Sequence, residues 1–587
     1  MNRSRLARVM SACAACMALF AAGPAHAQQA ADAGRGAGDR IFTPVTATRG
    51  MVASDHALAT HAGVEVLRRG GNAVDAAVAV GFALAVTRPD AAGLGGGGFM
   101  MIHDAASGRE VALDFRESAP AGPARDAAAR GSDASAPPPV PGVGVPGMVA
   151  GLLHAHSAFG RLALAEVMAP AIELAEKGFQ VTPTLAQKLR ARREALARWP
   201  QARAIFFKDV EQPLPCSQPP CAVTVASEPL AAGDLLVQRD LARSLQAIAR
   251  DGAAAFYQGE IGRLVAAEAG RHGSPLAPED LRAYRAVERD PVSASYRGMR
   301  VIAMPPPSSG GVYVVQMLNL LQRYPLADYG AGSAQALHLM AETMKLAHAE
   351  RARWLGASDP TRIPAAVLAA PAYADELARQ IDPQRATPAD RIAPGAAAPD
   401  DRAQATHYSV ADAVGNAVSA TLTLGSEFGT GRVAAGTGIL LNDALHGATD
   451  GTRPAGGRVG TVEPGARPSS AMSPVIVYRD GLAWLVTGSN GATRIISTVL
   501  QAIIDAVDFG MHPAESAAMP RIHHPWKPDF LRVEKGLSPD TTTLLSQMGH
   551  DVRVMPVMGG TQTIQIEDGR LSGASDPRNP DGLTAGY

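Results

Sequence analysis

The chain has 587 residues, of which 47% are hydrophobic and 19% are charged. This length and composition allow a large buried core and favour more than one domain. The formal net charge is -1, so no excess of basic charge points to nucleic acid or to an anionic membrane as a partner.

The first 27 residues have the pattern of a secretory signal peptide. Arg3, Arg5 and Arg8 precede an apolar run over residues 9–22, and Ala25-His26-Ala27 supplies the small residues of a cleavage site. A membrane anchor is the alternative, but the run is short for a span and has no stop-transfer flank. We therefore predict export to a bacterial periplasm or beyond, with no membrane anchor after the signal is removed.

Two of the four cysteines lie inside this signal. The other two, Cys216 and Cys221, flank a proline-rich stretch. In an oxidising compartment such a pair favours a small disulfide. A metal site would need further ligands close in sequence, and none is present, so we expect no metal here.

The globular body begins with a buried helix and a glycine-rich turn. Residues 73–84 are apolar on nearly all sides, and Asn72 is suited to cap the helix that they form. Gly93, Gly95 and Gly98 match the dinucleotide-binding fingerprint literally. That fingerprint follows a strand and opens a helix, whereas this stretch follows a helix and leads into a strand-like segment. We therefore predict a tight turn with closely packed backbone and no nucleotide cofactor.

Most of the chain up to Gln404 has a helical pattern. Ser308 and Ser309 follow three prolines and precede a predicted helix at 312–321. They are not predicted to be hydrolase nucleophiles, because the Gly-x-Ser-x-Gly elbow is absent. Further helices are predicted within residues 145–181, 238–272, 276–286 and 334–355, the last of them amphipathic.

A long exposed loop at 386–404 is predicted to lead into a hairpin. Its two strands, residues 408–413 and 417–424, alternate apolar and small polar residues around Gly415-Asn416. The remainder of the chain is rich in strand patterns. The adjacent His523 and His524 would face opposite sides of an extended strand, so we interpret them as structural.

Several motifs together resemble those of the gamma-glutamyltransferases, or glutathione hydrolases, which are N-terminal-nucleophile hydrolases made as one proenzyme. They are Leu94–Met100, Asp114–Glu117, Met304–Gly311, Thr406–Ser409 and Leu583–Tyr587, and they span the mature chain in order. The resemblance implies an α+β fold of four layers, with two stacked, mainly antiparallel sheets between helix layers. It also implies one interlocked fold, cut between Gln404 and Ala405 into a large segment (28–404) and a small segment (405–587). No cofactor is implied.

The family's nucleophile is a threonine that becomes N-terminal after this cut, and its position here is Ala405. Alanine has no hydroxyl, so it can attack neither the preceding carbonyl nor a substrate. Thr406 is a poor substitute, because successive side chains of a strand point to opposite faces.

The resemblance also assigns roles around this position. Arg116 matches the clamp for the substrate's alpha-carboxylate, and Thr423 matches the hydroxyl that supports the nucleophile's amine. Gly491 matches one donor of the oxyanion-binding turn, and Ala492 stands where the family usually has Gly, so its N–H is expected to serve if its φ is negative. Ser470 matches the first of two carboxylate-binding serines, and Ala471 replaces the second. Gly425, Ala444 and Gly447 stand where the family offers Asn, Gln and Asp to the glutamyl head group.

Three functions stay open from the sequence. The first is a working glutathione hydrolase or gamma-glutamyltransferase, with a gamma-glutamyl compound such as glutathione as substrate. The second is an acylase with a different acyl preference. The third is a non-catalytic, unprocessed relative that binds a ligand or a partner, and it agrees best with Ala405.

Overall fold

The structure is a computed structural model that describes residues 42–122, 142–213, 223–354, 359–393, 403–445 and 463–587. The predicted signal peptide, the predicted disulfide between Cys216 and Cys221, and Gly447 lie outside these ranges. Within them, no helix combines the length and the apolar character that crossing a bilayer requires.

The first of two large sheets contains the predicted hairpin at its centre. All its neighbouring strands are antiparallel. Its spatial order is β24 (Leu583–Gly586), β2 (Gly50–Ser54), β12 (Gln404–Asp412), β13 (Ala417–Gly425), β3 (Gly97–Asp104), β4 (Arg109–Phe115) and β9 (Val287–Arg289).

The second large sheet is also antiparallel. Its order is β1 (Val45–Ala47), β23 (Arg570–Ser575), β22 (Gly560–Glu567), β17 (Leu482–Thr487), β16 (Val475–Arg479), β11 (Met299–Ala303) and β10 (Val292–Tyr296), with β18 (Ser489–Asn490) beside β22. Smaller sheets join β5 (Phe179–Gln180) to β8 (Leu235–Leu236), β6 (Phe207–Pro213) to β7 (Val223–Pro229), β14 (Val433–Ala434) to β15 (Ile439–Leu440), and β19 (Ile522–His523) to β20 (Leu531–Glu534) and β21 (Val552–Met555).

The helices that precede residue 290 share one hydrophobic core with the outer face of the first sheet. They are α1 (Ala57–Arg68), α2 (Ala73–Thr87), α3 (Met148–Phe159), α4 (Leu164–Lys177), α5 (Pro183–Ala191), α6 (Arg193–Ala197), α7 (Pro200–Phe206), α8 (Arg239–Asp251), α9 (Ala253–Tyr257), α10 (Glu260–Arg271) and α11 (Pro278–Ala283). The predicted cap of α2 is present, since the Asn72 side chain accepts the N–H groups of Val74 and Asp75.

Most of the later helices pack against the second sheet. They are α12 (Gly310–Leu321), α13 (Leu326–Tyr329), α14 (Ala334–Trp354), α15 (Ala365–Leu368), α16 (Pro371–Ala378), α17 (Ala389–Ile392), α18 (Arg494–Val507), α19 (Pro513–Ala518) and α20 (Pro539–Gln547), with a 3-10 turn at Pro360–Arg362.

Strand alternation divides the interior into two cores. Met100 and Ile102 of β3 point into the first core, under the early helices. Their neighbours Phe99 and Met101 point into the second core, which lies between the sheets and continues under the later helices. The predicted four-layer arrangement of helices, sheet, sheet and helices is therefore confirmed.

The helices predicted within 238–272 are present as three helices, with breaks at Gly252 and Gly259. Two other local predictions need correction. Helix α14 is not amphipathic, because every residue from Ala336 to Arg351 is buried. The 386–404 segment is not wholly an exposed loop, since α17 lies within it with Ala389 buried, and its last residue already begins β12.

The glycine-rich turn is as close-packed as predicted. A side chain at Gly95 would place its Cβ 2.0 Å from the Leu440 carbonyl oxygen, and one at Gly96 would lie 2.1 Å from the Thr423 carbonyl oxygen. Backbone approach of this kind requires glycine. The turn therefore supports the end of β13, where the candidate site lies.

Candidate active site

The predicted processing site lies at a bulge where the central hairpin begins. Gln404 pairs with Gly425 and Thr406 pairs with Leu422, so two residues of β13, Thr423 and Leu424, stand opposite the single residue Ala405 of β12. The Thr423 hydroxyl donates a hydrogen bond to the Gln404 carbonyl at 2.5 Å and accepts one from the Gly425 N–H at 2.9 Å. Thr423 is thus in contact with the peptide bond that joins Gln404 to Ala405.

Ala405 and Thr406 have different surroundings. The Ala405 methyl is 5% exposed and belongs to the core between the sheets. The Thr406 hydroxyl is fully buried and donates to the Asp55 carboxylate at 2.9 Å. A hydroxyl is therefore present next to the family's nucleophile position, but it is already engaged by a carboxylate.

Asp55 connects the hairpin to the oxyanion turn. Its buried carboxylate accepts hydrogen bonds from the His407 N–H at 3.1 Å and from the Asn490 side chain at 3.0 Å, in addition to Thr406. Gln562 and the Asn579 side chain donate to its other oxygen. Thr406, next to Ala405, and Asn490, next to Gly491, therefore both donate to the same Asp55 carboxylate.

His407 fills the space between the two sheets behind this bulge. Its Nδ1 lies 2.9 Å from the Thr421 hydroxyl, and a Cβ added at Gly488 would come within 2.2 Å of its ring. Burial lowers the pKa of His407 to about 3, although the Asp55 charge acts in the opposite direction. His407 is therefore a neutral packing residue that holds the end of β17 against the hairpin.

The turn that follows β18 does not meet the condition set for the N–H of Ala492. That N–H was expected to serve only if φ is negative, and φ is +60° at Ala492, beside +117° at Gly491. The turn packs tightly, because a Cβ at Gly491 would lie 2.8 Å from the Cα of Gly559. Ala492 is thus held in the left-handed region, at a cost of about 1–2 kcal/mol.

The predicted carboxylate clamp is internally paired. The Arg116 guanidinium donates to the Glu117 carboxylate at 2.7 Å, and its Nε has no hydrogen-bond partner among the described residues. Burial raises the pKa of Glu117, and the neighbouring charge of Asp443 adds to this effect. Glu117 also lies against the start of β3, since a Cβ at Gly97, the partner of Thr423, would lie 2.8 Å from its carboxylate.

The loop at Ser470 is held through the main-chain carbonyl of that residue. This carbonyl accepts hydrogen bonds from the N–H and the hydroxyl of Ser309, at 2.9 and 2.7 Å. Arg351 of α14 donates to that hydroxyl at 3.0 Å. Ala471 is 3% exposed and presents only a methyl group. Of the two predicted serine positions, only residue 470 thus carries a hydroxyl, and its loop is held by Ser309.

Asp443 occupies the space beside Gly425. Gly425 has φ +96°, and a Cβ there would lie 2.0 Å from an Asp443 carboxylate oxygen, so an Asn could enter only if Asp443 moved. Ser426 holds Asp443 through its N–H at 2.7 Å and through its hydroxyl. Ala444 follows, with its N–H donated to Asn442. Asp443 therefore offers a carboxylate near the position where the family places amide groups.

The structure brings most of the predicted site together. Gln404, Ala405, Thr423 and Gly425 share one end of the hairpin, and Asn490 connects the Gly491 turn to it through Asp55. Arg467 connects the Ser470 loop to the strand before Arg116, since it donates to the Asp114 carbonyl at 2.6 Å. Sequence reasoning missed Asp55 and gave Asp443 no role of its own. An acidic residue directly after the apolar strand β2 was the available signal for Asp55.

A hydroxyl and a methyl group stand side by side at the predicted cut. The Thr423 hydroxyl donates to the Gln404 carbonyl oxygen, which is the atom that would gain negative charge if that carbonyl were attacked. The side chain of the next residue, Ala405, is a methyl group and has no hydroxyl.

Comparison with known proteins agrees with this geometry. The Gamma-glutamyltranspeptidase family profile matches residues 59–586. The glutathione hydrolase proenzyme of Escherichia coli (strain K12) is 46% identical over 566 residues, which cover 94% of each chain.

Solved structures give the same result. A cephalosporin acylase from Bacillus halodurans superposes with a TM-score of 0.78 at 28% identity and covers 93% of this chain and 97% of its own. The gamma-glutamyltranspeptidase of Helicobacter pylori superposes with a TM-score of 0.51 at 37% identity, over 58% of this chain and 93% of its own. The chain therefore belongs to the gamma-glutamyltranspeptidase family.

Proposed function

We propose that this chain is an exported, unprocessed member of the family that has little or no glutathione hydrolase or gamma-glutamyltransferase activity and acts by binding a ligand or partner. The observation that carries the proposal is the Ala405 methyl group, one residue after the carbonyl that Thr423 contacts. The gamma-glutamyl class of ligand, with glutathione as an example, comes from the family and from the retained Arg116.

Self-cleavage in this arrangement needs an oxygen at position 405. The hydroxyl would attack the Gln404 carbonyl carbon, and the C–N bond to residue 405 would break to leave an ester and a free amine. Water would then hydrolyse the ester and release the Gln404 carboxylate. The same hydroxyl, with the new amine as its base, would attack the substrate. Ala405 can perform none of these steps, so residues 28–404 and 405–587 stay in one chain.

Thr406 does not replace the missing group. Its hydroxyl donates to Asp55, so rotation toward Gln404 would leave a buried carboxylate with one hydrogen bond fewer. The loss of a hydrogen bond to a charged group costs about 1.5–3 kcal/mol. To bring the Thr406 side chain to the position of residue 405, β12 would have to slip by one residue. That slip would turn all the other side chains of β12 to the opposite face of the sheet.

The residues of the predicted binding pocket favour weak binding of a glutamyl head group. Arg116 remains, but Ala471, Gly425 and Ala444 lack the polar groups that the family uses. A site built on polar recognition loses several kcal/mol of discrimination when such groups are removed. These changes weaken glutathione binding, so turnover stays poor even where a nucleophile is supplied.

An acylase with a different acyl group is the second candidate. The likeness to the Bacillus halodurans cephalosporin acylase favours it, because that protein shares the whole fold. The loss of amine-binding groups would suit an acyl group that carries no amine. This candidate also needs a nucleophile at position 405, so it ranks below the binding function.

Export is part of the proposal. The N-terminal pattern of residues 1–27 supports a cleaved secretory signal and a periplasmic or extracellular destination. The same compartment would allow a disulfide between Cys216 and Cys221.

The test is a denaturing gel of the purified mature protein, run beside a gamma-glutamyl-anilide assay. We expect one intact band and no turnover above background. Two fragments that meet at Ala405, or turnover at family-like rates, would overturn the proposal. The variants Ala405→Thr and Ala405→Val form a matched pair, since the two new side chains have nearly the same shape and only one has a hydroxyl. Ala405→Thr should restore cutting and Ala405→Val should not.

A further inference from the structure

A second cluster of reactive side chains lies away from the hairpin, beneath the later helices. His338 and Glu342 are one turn apart on α14, and His550 approaches them from the turn before β21. All three are buried, and one potential ligand atom of each lies within 4.8 Å of the others. It is the one group of three or more potential metal ligands that the described residues form.

The hydrogen bonds of His338 leave one of its nitrogens available. Its Nε2 lies 2.8 Å from the Asp382 carbonyl oxygen, which can only accept, so the ring proton resides on Nε2. Its Nδ1 therefore carries a lone pair, and it faces His550 Nε2 at 2.8 Å. A histidine whose far nitrogen donates to a main-chain carbonyl has the orientation typical of a metal ligand.

His550 is incompletely satisfied. Its Nδ1 has no hydrogen-bond partner among the residues that the structure describes. A proton shared between the two rings thus leaves one buried nitrogen without a partner, at a cost of about 1–3 kcal/mol.

Glu342 supplies a negatively charged carboxylate, which already pairs with Lys345 and would also contact a bound metal cation. One of its carboxylate oxygens accepts the Thr387 N–H at 3.0 Å, and the other lies 2.7 Å from the Lys345 ammonium. Lys345 also donates to the Thr387 carbonyl at 2.8 Å, so it stays anchored when the carboxylate turns to a second cation. Lys345 competes for Glu342 and therefore limits the affinity of the site.

We propose that His338 Nδ1, His550 Nε2 and the Glu342 carboxylate bind a divalent transition metal of the zinc type, with water as the fourth ligand. Two imidazoles and one carboxylate suit such an ion. Bonds of about 2.0–2.1 Å in a tetrahedron place ligand atoms about 3.3 Å apart. The two nitrogens would separate by about 0.5 Å and the carboxylate would move inward, which side-chain rotation can supply.

The site would be structural rather than catalytic. Arg351 of the same helix, α14, contacts Ser309, and Ser309 holds the Ser470 carbonyl. A metal on α14 would therefore stiffen the helix that supports one wall of the candidate binding pocket. The inference does not depend on whether residue 405 is catalytic.

The test uses the full mature chain, purified without a polyhistidine tag and treated with a chelator. We expect one equivalent of zinc to bind, measured by titration and by elemental analysis after dialysis. The cobalt-loaded protein should show the visible absorption bands of a tetrahedral site. Zinc should also raise the melting temperature of the chain.

His550→Gln should weaken zinc binding at least about 100-fold. Removing a residue that only hydrogen-bonds a metal ligand already costs about 10- to 100-fold in affinity, and this variant removes a ligand itself. His61→Gln is the control, since His61 is exposed on α1. No zinc bound by the wild-type chain, or equal affinity in wild-type and His550→Gln protein, would overturn the proposal. If His550→Gln fails to fold, absence of the cobalt bands in the wild-type chain alone would overturn it.

Discussion

Replacing Thr423 with valine should slow self-cleavage strongly in a chain that also carries Ala405→Thr. The Thr423 hydroxyl donates to the Gln404 carbonyl oxygen at 2.5 Å, so it is placed to stabilise the negative charge that develops there during attack. Valine keeps the shape of the side chain and removes the donor. The variant therefore isolates the contribution of one hydrogen bond to the rate.

The size of the effect follows from comparable sites. Removing one oxyanion donor costs about 2.7–4 kcal/mol in the transition state, or about 100- to 1,000-fold in rate. The same change leaves the Gly425 N–H without its 2.9 Å partner, which lowers the free energy of unfolding by about 1–3 kcal/mol. The two effects are separable, because the rate of cutting is measured under conditions where both variants are folded.

The assay is a time course of freshly purified Ala405→Thr protein, with and without Thr423→Val, followed as the loss of the intact band on a denaturing gel. The control is Thr87→Val in the same background, because the Thr87 hydroxyl is also buried and donates to a carbonyl, that of Ala83, at 2.9 Å. We expect Thr87→Val to leave the cutting rate within about threefold. If Thr423→Val also cuts at a rate within about threefold of the Ala405→Thr chain, the assignment of Thr423 to the cleavage site is refuted.

Three further predictions concern the supports of the site. Asp55→Asn should lower the free energy of unfolding in urea by about 3 kcal/mol, because an amide cannot accept from all the donors that surround this carboxylate; a change below about 0.5 kcal/mol would contradict this. His407 stays neutral in the folded chain down to about pH 3, whereas an unfolded imidazole takes up a proton near pH 6.5. Between these two pH values the free energy of unfolding therefore falls by about 1.4 kcal/mol for each unit by which the pH is lowered. His407→Gln should therefore flatten the pH dependence of urea unfolding by that slope, and an unchanged slope would mean that His407 is protonated in the fold. Ala492→Gly should raise the melting temperature, since it relieves a left-handed alanine worth about 1 kcal/mol, whereas the control Ala502→Gly, inside α18, should lower it.

The features that the sequence predicted are local ones. The hairpin of β12 and β13 follows from alternation around Gly415, and the glycine-rich turn follows from the density of glycine at 93–98. The four-layer fold followed from the resemblance, which rests on motifs distributed along the whole chain. Each single motif, like the hairpin and the glycine-rich turn, is contained within a short stretch of residues, and only the fold prediction needed all the motifs together.

The features that the sequence did not predict depend on contacts between distant residues. Asp55 reaches Thr406 across 351 positions, and His338 reaches His550 across 212. The positive φ of Ala492 arises where its turn packs against Gly559. Helix α14 looked amphipathic because it carries charged residues such as Lys345, yet those residues are buried and paired inside the fold. No pattern within a single segment contains this information.

The central claim is that the methyl group at position 405 keeps the chain whole. The most direct measurement is the intact mass of the mature wild-type protein recovered from its native compartment. The account predicts a single species that runs without interruption through Gln404 and Ala405 to Tyr587. A pair of masses, with the smaller polypeptide beginning at Ala405, would contradict it.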